Sequence, residues 1–199
     1  MPQEQYYVVE RENDNIQALF SWDQSSGHLG LGQAVDAEEP LKFRVGEPLP
    51  NNINWMDFHT CPDPVISPSL AATLQQSPLH GSQFFKAKVH HPEQADMEAK
   101  DYVFWHIWLE LPCLDKENSE LDLLDDDEPD GDIFGIDSLA LNEELLNDIE
   151  EEQRLVFRLK EHSPVILIHE KIKQKIEKSN ARGLRFFPVS DWNSDLCFD

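Results

Sequence analysis

An acidic loop in this chain carries the spacing that comes closest to a known chemical site. Counted from Asp126, acidic residues stand at positions 1, 3, 5 and 12, and a glycine stands at position 6; these residues are Asp126, Glu128, Asp130, Asp137 and Gly131. Oxygen ligands at this spacing are typical of an EF-hand, which binds calcium. Pro129 inside the loop argues against that interpretation, as does an aspartate in place of the final bidentate glutamate. A calcium-dependent site is therefore an alternative and not the preferred interpretation.

Motifs for catalysis are missing from the sequence. The stretch GHLGLG has neither the glycine order nor the terminal lysine of a phosphate-binding loop, and no GxSxG or HExxH motif occurs. His90 and His91, followed by Asp96 and Glu98, are better explained as a charged loop than as a metal cluster. An enzyme assembled from dispersed residues remains an alternative without positive support; the residues considered are His59, His106 and Asp101. We predict no catalytic residue, no metal site and no cofactor.

Several strands can be predicted from side-chain alternation. Residues 101–111 form the strongest candidate, with Val103, Trp105 and Ile107 on one face and Tyr102 and Phe104 on the other. Further strands are predicted at 6–10, 155–159 and 164–168. Because both faces of 101–111 are apolar, we expect this segment to be a central strand.

One pattern occurs twice, over residues 64–89 and 164–189. Each copy has Pro-Val-Ile, a helical stretch, a glycine, Phe-Phe and a valine, which predicts a strand, a helix and a second strand. Ser67 or Ser69 can cap the first helix. Apolar residues four positions apart give each helix a buried side: Leu70 and Leu74 in the first, Ile172 and Ile176 in the second. Two explanations of this pattern remain open: an internal duplication, or the residue types that commonly occur where a helix is followed by a strand.

These elements predict an α+β fold with one mixed, mainly antiparallel sheet, two or three short helices and a loop-rich N-terminal part. Residues 1–63 are expected to be a loop-rich part packed on the sheet. After the strand at 6–10 we expect ordered coil, held by aromatic residues, namely Phe20, Trp22, Phe43, Trp55 and Phe58. Residues 64–189 form the core, with an acidic hairpin at 117–137, and residues 190–199 form a tail. We expect one continuous domain.

Charge is concentrated in one segment of the chain. Between Asp115 and Glu152 there are seventeen acidic residues and one basic residue, Lys116, in a protein whose net charge is −23. This excess favours a partner with a basic surface and argues against nucleic acid and anionic membranes. The hairpin residues predicted to bind such a partner are Asp125, Asp126, Asp127, Glu128, Asp130 and Asp132. A merely solvated loop is the competing interpretation.

A cytoplasmic location fits the remaining features. The N-terminal residues lack a signal peptide, and no apolar run is long enough to span a membrane. Three scattered cysteines, Cys61, Cys113 and Cys197, form no CxxC pair and argue against a disulfide framework.

The order of several short segments resembles a known bacterial family. The segments are an opening YYVV, LKFRVGEPLP, PVISPSLAATL, the strand at 102–111, a Leu-Ala-Leu run near 139, VFRLKE, PVILIHEKIKQKIE and GLRFFPV, which together extend from about residue 6 to residue 189. In this order and spacing they are similar to immunity protein eleven of polymorphic toxin systems. The family supplies no catalytic residue to transfer to this chain.

The resemblance implies a cytosolic protein that binds and neutralises a cognate secreted toxin. Such systems act in competition between bacteria, for example through type VI secretion, and the inhibitor protects the producer and its kin. An acidic interaction module without a toxin partner, with or without calcium, is the alternative function.

Overall fold

The structure, a computed structural model, describes residues 2–12, 17–49, 52–60, 63–94, 96–124 and 131–197. In chain order, its main elements are β1 (Tyr6–Arg11), β2 (Phe20–Trp22), β3 (Leu41–Val45), β4 (Phe58–His59), β5 (Val65–Ile66), α1 (Pro68–Leu74), β6 (Ser82–His90), β7 (Lys100–Ile107), β8 (Glu110–Leu111), β9 (Glu120–Leu123), β10 (Ile133–Ser138), α2 (Glu143–Asn147), β11 (Val156–Leu159), β12 (Ile166–His169), α3 (Glu170–Lys178) and β13 (Leu184–Pro188). Among the described residues, no helix has both the length and the apolar character needed to cross a membrane.

The strands form two large sheets and a separate two-stranded ribbon. The five-stranded sheet has the order β13-β1-β12-β11-β8, and the six-stranded sheet has the order β2-β3-β6-β7-β5-β4. Pairing is mainly antiparallel, with parallel pairs at β3–β6 and β8–β11. The predicted α+β class is confirmed, whereas the expectation of a single sheet is wrong.

The predicted strand over 101–111 is interrupted, and this interruption creates the second sheet. The backbone N–H groups of Trp108 and Leu109 both donate to the carbonyl of Gly81, at N···O distances of 2.9 and 3.2 Å. Strand β7 therefore ends at Ile107 in the six-stranded sheet, and β8 continues in the five-stranded sheet beside β11. Side-chain alternation alone does not reveal this break, because residues on both sides of it are apolar.

Three apolar clusters follow from the alternation along the strands. The first covers one face of the five-stranded sheet and includes Tyr6 and Phe157. The second joins the opposite face of that sheet to the six-stranded sheet through α1 and α3. The third covers the outer face of the six-stranded sheet and includes Phe43 and Phe104. Helices α1 and α3 thus bury their predicted apolar residues between the sheets: Leu70, Leu74, Ile172 and Ile176.

The repeated sequence pattern corresponds to two units of the same topology. In the first unit, β5 and β6 lie on either side of β7 and both pair with it antiparallel; in the second, β12 and β13 flank β1 in the same way. Val65 and Phe85 both pair with Phe104, and the residues that correspond to them, Leu167 and Phe187, both pair with Val8. In both units the two partners are therefore 20 residues apart.

The equivalent positions of the two units differ from those that the sequence pattern suggests. The helix N-caps are Ser67 and His169, and the glycines with positive φ are Gly81 and Gly183, so equivalent positions are 102 residues apart. The two Pro-Val-Ile segments are 100 residues apart, which puts them two residues out of this alignment. The helix caps and glycines therefore define the structural repeat, and the Pro-Val-Ile match does not.

Part of the N-terminal region is strand and not coil. Strand β3 alternates buried and exposed residues and pairs with β2 and β6. Of the predicted aromatic anchors, Phe20, Phe43 and Phe58 are buried, and Trp22 and Trp55 pack partly buried against the third cluster. The expectation of coil for 41–45 and 58–59 is wrong. Strand 41–45 depends on distant partners that local sequence does not show, whereas 58–59 pairs with the nearby residues 65–66.

Gly81 should tolerate no side chain, because its φ is +75° and an added Cβ would lie 2.1 Å from Leu109 Cβ. We expect Gly81→Ala to lower the free energy of unfolding by about 2–4 kcal/mol, measured by urea denaturation. Gly30→Ala is the matched control, since nothing lies within 4 Å of a Cβ there, and it should change stability by less than ~0.5 kcal/mol. Equal stability of the two variants would contradict this account of the strand break.

Candidate partner-binding surface

The acidic segment forms an antiparallel ribbon of β9 and β10 on the first apolar cluster. Ile136 is buried in that cluster, and Leu121 and Ile133 pack against it. The alternate residues of β9, Glu120 and Asp122, are exposed. The two strands of the predicted hairpin at 117–137 are thus confirmed, and the ribbon presents an acidic outer face.

Two bulges redirect side chains of β10 outward. Ile133 pairs with Leu123 and Gly135 with Asp122, so Phe134 has no cross-strand partner. Such an extra residue bends the strand and changes the direction of its side chain. Phe134 is 68 % exposed, a high value for an aromatic residue. Leu124, at the end of β9, is 66 % exposed.

Most of the predicted binding residues lie outside the described residues. Asp125, Asp126, Asp127, Glu128 and Asp130 belong to this group. Asp132 is described and exposed, and its carbonyl accepts a hydrogen bond from the N–H of Leu124 at 2.9 Å. Residues 133–138 form a strand where an EF-hand would begin its second helix. Within the described part of the chain, no group of three or more His, Cys, Asp or Glu residues could hold a metal ion.

A cavity of about 300 Å³ opens beside Phe134, where two strands separate. Strands β1 and β12 pair only from Tyr6 to Val8, and the following residues of β1 border the cavity opposite Val165 and Ile166. The lining residues include apolar Val9, Pro64, Phe134, Pro164, Val165, Ile166 and Trp192 and polar Glu10, Thr60, Arg158, His162 and Ser194. A small, mostly apolar cavity with a few convergent polar groups is the usual form of a binding pocket.

Glu10 is the acidic group of this cavity. Its Oε1 accepts a hydrogen bond from Trp192 Nε1 at 3.0 Å. Burial raises the pKa of Glu10 above its usual value, while the Trp192 hydrogen bond and the charges of Arg185 and Arg11 oppose this rise. Among the described residues, no base lies within ion-pair distance of Glu10. Its carboxylate is therefore held in a partly desolvated position without a directly bound cation.

Arg158 is the basic group of the cavity wall, and each nitrogen of its guanidinium has a hydrogen-bond partner in the protein. It donates to the carbonyls of Ile107 and Ser163, at 3.0 and 2.8 Å, and forms an ion pair with Asp63 at 2.9 Å. Its side chain is 6 % exposed, and burial lowers its pKa while Asp63 opposes that effect. Arg158 therefore supports the cavity wall but offers little free charge to a ligand.

The histidines and the aspartate considered for an enzyme occupy separate environments. His59 stacks on Phe20, and its Nδ1 bonds to the carbonyl of Ala18 at 2.9 Å; burial lowers its pKa to about 4. His106, in strand β7, packs against Phe104 of the same strand and Phe85 of β6. Asp101 is exposed and pairs with Lys88 at 2.7 Å. The contacts of these residues are those of packed or surface side chains.

Sequence reasoning missed the cavity and its principal residues. The sequence predicts only a strand for Glu10 and a C-terminal tail for Trp192. Phe134 offered one available signal, because it is an aromatic residue inside a strongly acidic segment. Its exposure depends on the bulge, which no turn motif in the sequence marks.

Residues 44–191 match a protein family model described as Immunity protein family (Imm11). This match covers about three quarters of the chain and includes the ribbon, β11 and the helix α3. It begins at residue 44, whereas the resemblance seen in the sequence extends to about residue 6. Curated proteins show no significant match to the chain.

Glu10 should lower stability at neutral pH, because its folded-state pKa is raised above the ordinary value of 4.5. A carboxyl with a raised pKa stabilises the fold while protonated, and this contribution is lost as pH rises through the folded-state pKa. We expect Glu10→Gln, which keeps an acceptor for Trp192, to unfold at a higher temperature than the parent at pH 7. This advantage should disappear below about pH 4.5.

The pH series should be measured by thermal unfolding with Glu12→Gln as the control. Glu12 is exposed and two residues away in sequence, so the same chemical change should alter stability by less than ~0.5 kcal/mol. A Glu10→Gln protein that is less stable than the parent at pH 7 would show that the carboxylate is stabilised by its surroundings.

Proposed function

The chain belongs to the Immunity protein family (Imm11), and from this membership we propose that it binds and neutralises a cognate secreted antibacterial toxin. In this role it acts in the cytoplasm and protects the toxin-producing cell and its kin. The family match over residues 44–191 is the observation that carries the proposal. Inhibition by binding requires no catalysis from the immunity protein.

The surface of the ribbon supports the proposal that the toxin binds through a basic face. Its outer side carries exposed carboxylates, and Phe134 and Leu124 add two exposed apolar side chains among them. Binding surfaces commonly combine an aromatic residue that contributes much of the affinity with surrounding charges that accelerate association. A nuclease toxin would present such a basic face, because it binds a polyanion.

Charge and exposed apolar area have different roles in this proposal. Carboxylates at 120, 122 and 132 act over distance and attract a basic protein, with an effect that salt weakens. Phe134 acts only on contact, when its ring is removed from water. Association should therefore depend mainly on the acidic residues, and dissociation mainly on Phe134.

Co-expression tests the function directly. The toxin gene next to the gene for this chain is expressed in a bacterial host with and without the chain, and colony formation is counted. We expect the toxin alone to prevent growth and the chain to restore it. Failure of an abundantly expressed, folded chain to restore growth would refute the immunity function and favour an interaction module without a toxin.

Neutralising the acidic segment between β9 and β10 should slow toxin capture. We expect substitution of Asp125, Asp126, Asp127 and Asp130 by asparagine to reduce the association rate constant about tenfold at low ionic strength and to flatten its salt dependence. Stopped-flow or surface-based kinetics would measure both effects.

The control removes the same number of charges elsewhere. Glu93, Asp96, Glu98 and Asp101 lie on and beside the exposed β6–β7 turn and are changed to their amides. If the two variants slow association equally, net charge controls the rate. If neither slows it, the acidic loop is a solvated segment without a role in capture.

A further inference from the structure

The cavity beside Phe134 has features that the ribbon alone lacks. It combines a partly desolvated carboxylate, an apolar wall and an exposed aromatic ring at its mouth. Nothing in the described contacts requires a carboxylate at Glu10, because a neutral amide could accept the same hydrogen bond from Trp192. A half-buried carboxylate without a cation in contact costs stability and is therefore a candidate for function.

We propose that this cavity is the anchor site for one arginine side chain of the toxin, whose guanidinium binds the Glu10 carboxylate. This inference rests on the proposed immunity function. The arginine stem contacts the apolar wall at Val165 and Ile166, and the bound guanidinium also lies against the ring of Phe134.

The charges around the cavity favour a cationic ligand over a neutral or anionic one. Arg158 is balanced by Asp63 and bonded to two backbone carbonyls, so its positive charge is already compensated. Arg185 lies opposite Glu10 on β13, and its charge and that of Arg11 act on Glu10 from a distance. The Arg185 guanidinium itself bonds to the carbonyl of Leu196 and lies over Phe187. Glu10 therefore keeps an unbound carboxylate oxygen beside an apolar space, and Asp132 and Asp122 add negative potential nearby on the ribbon.

Arginine fits this arrangement better than lysine. Its guanidinium is planar and weakly hydrated, stacks on aromatic rings and forms directed hydrogen bonds with carboxylates. Phe134 offers an exposed ring face, and Trp192 holds the carboxylate in position through its indole N–H. An ammonium group is more strongly hydrated and would lose more on entering an apolar space.

The anchor can be tested without the toxin. The probe is N-acetylarginine methylamide, and the neutral control probe is the citrulline derivative, which has the same shape without the charge. Binding is followed through the Trp192 indole N–H signal in ¹⁵N–¹H NMR spectra, assigned with Trp192→Phe. This proton donates to Glu10 and therefore reports directly on a cation at the carboxylate.

We expect the arginine probe to shift the Trp192 signal saturably and the citrulline probe to bind about tenfold more weakly, which corresponds to the strength of a charge-assisted hydrogen bond. Glu10→Gln should weaken the arginine probe about tenfold. Phe134→Ala should weaken it about threefold through loss of the cation–π contact. Glu12→Gln should leave binding unchanged. Equal binding of the two probes, or an unchanged affinity of the Glu10→Gln protein, would overturn the proposal.

The same variants separate this inference from the function on which it rests. With the cognate toxin, Glu10→Gln should increase the dissociation rate constant about tenfold and leave association nearly unchanged. If the parent chain neutralises the toxin and Glu10→Gln dissociates no faster, the anchor site is wrong and the immunity function stands. If the parent chain does not bind the toxin, the immunity function fails, whatever the probe shows.

Discussion

The hydrogen bonds of Arg158 hold the two sheets together at the point where the chain passes from one to the other. Its side chain bonds to the carbonyl of Ile107, the last residue of β7, and its backbone N–H bonds to the carbonyl of Leu109 at 2.8 Å. The other two guanidinium nitrogens donate to Asp63 and to the carbonyl of Ser163. A guanidinium in this position is stable only if all these partners are present. The strand break, the second sheet and one wall of the cavity therefore depend on one another.

Stability and binding place opposite demands on the neighbouring Glu10. A protein selected for stability alone would hold a neutral group against Trp192, because a desolvated carboxylate is unfavourable without a cation. The acidic ribbon shows a milder form of the same conflict, since like charges repel one another on a small surface. Both features become favourable when a basic partner supplies the missing positive charge. The charge distribution of the free protein is thus best understood together with that of its partner.

Sequence patterns predicted what depends on local chemistry. Ser67 accepts a hydrogen bond from the N–H of Leu70 and caps α1, Gly81 and Gly183 adopt positive φ, and the hairpin strands on either side of the acidic turn are present. What depends on distant partners could not be predicted. The strand at 41–45 exists because β2 and β6 lie beside it, and Glu10 became a site residue only because Trp192 approaches it from the other end of the sequence. Phe134 combines both cases: its hydrophobicity was visible, but the bulge that exposes it was not.

The place of β1 between β12 and β13 affects the order in which this protein can fold on the ribosome. Residues 6–11 are made long before their partners, which are residues 167–169 and 184–188. In the unit of β5, β6 and β7, by contrast, the middle strand β7 follows β6 directly, so these strands can pair as soon as β7 emerges. Pairing over long sequence separations is slow. A nascent chain can therefore form the six-stranded sheet before the cavity is complete, because the cavity also needs Trp192.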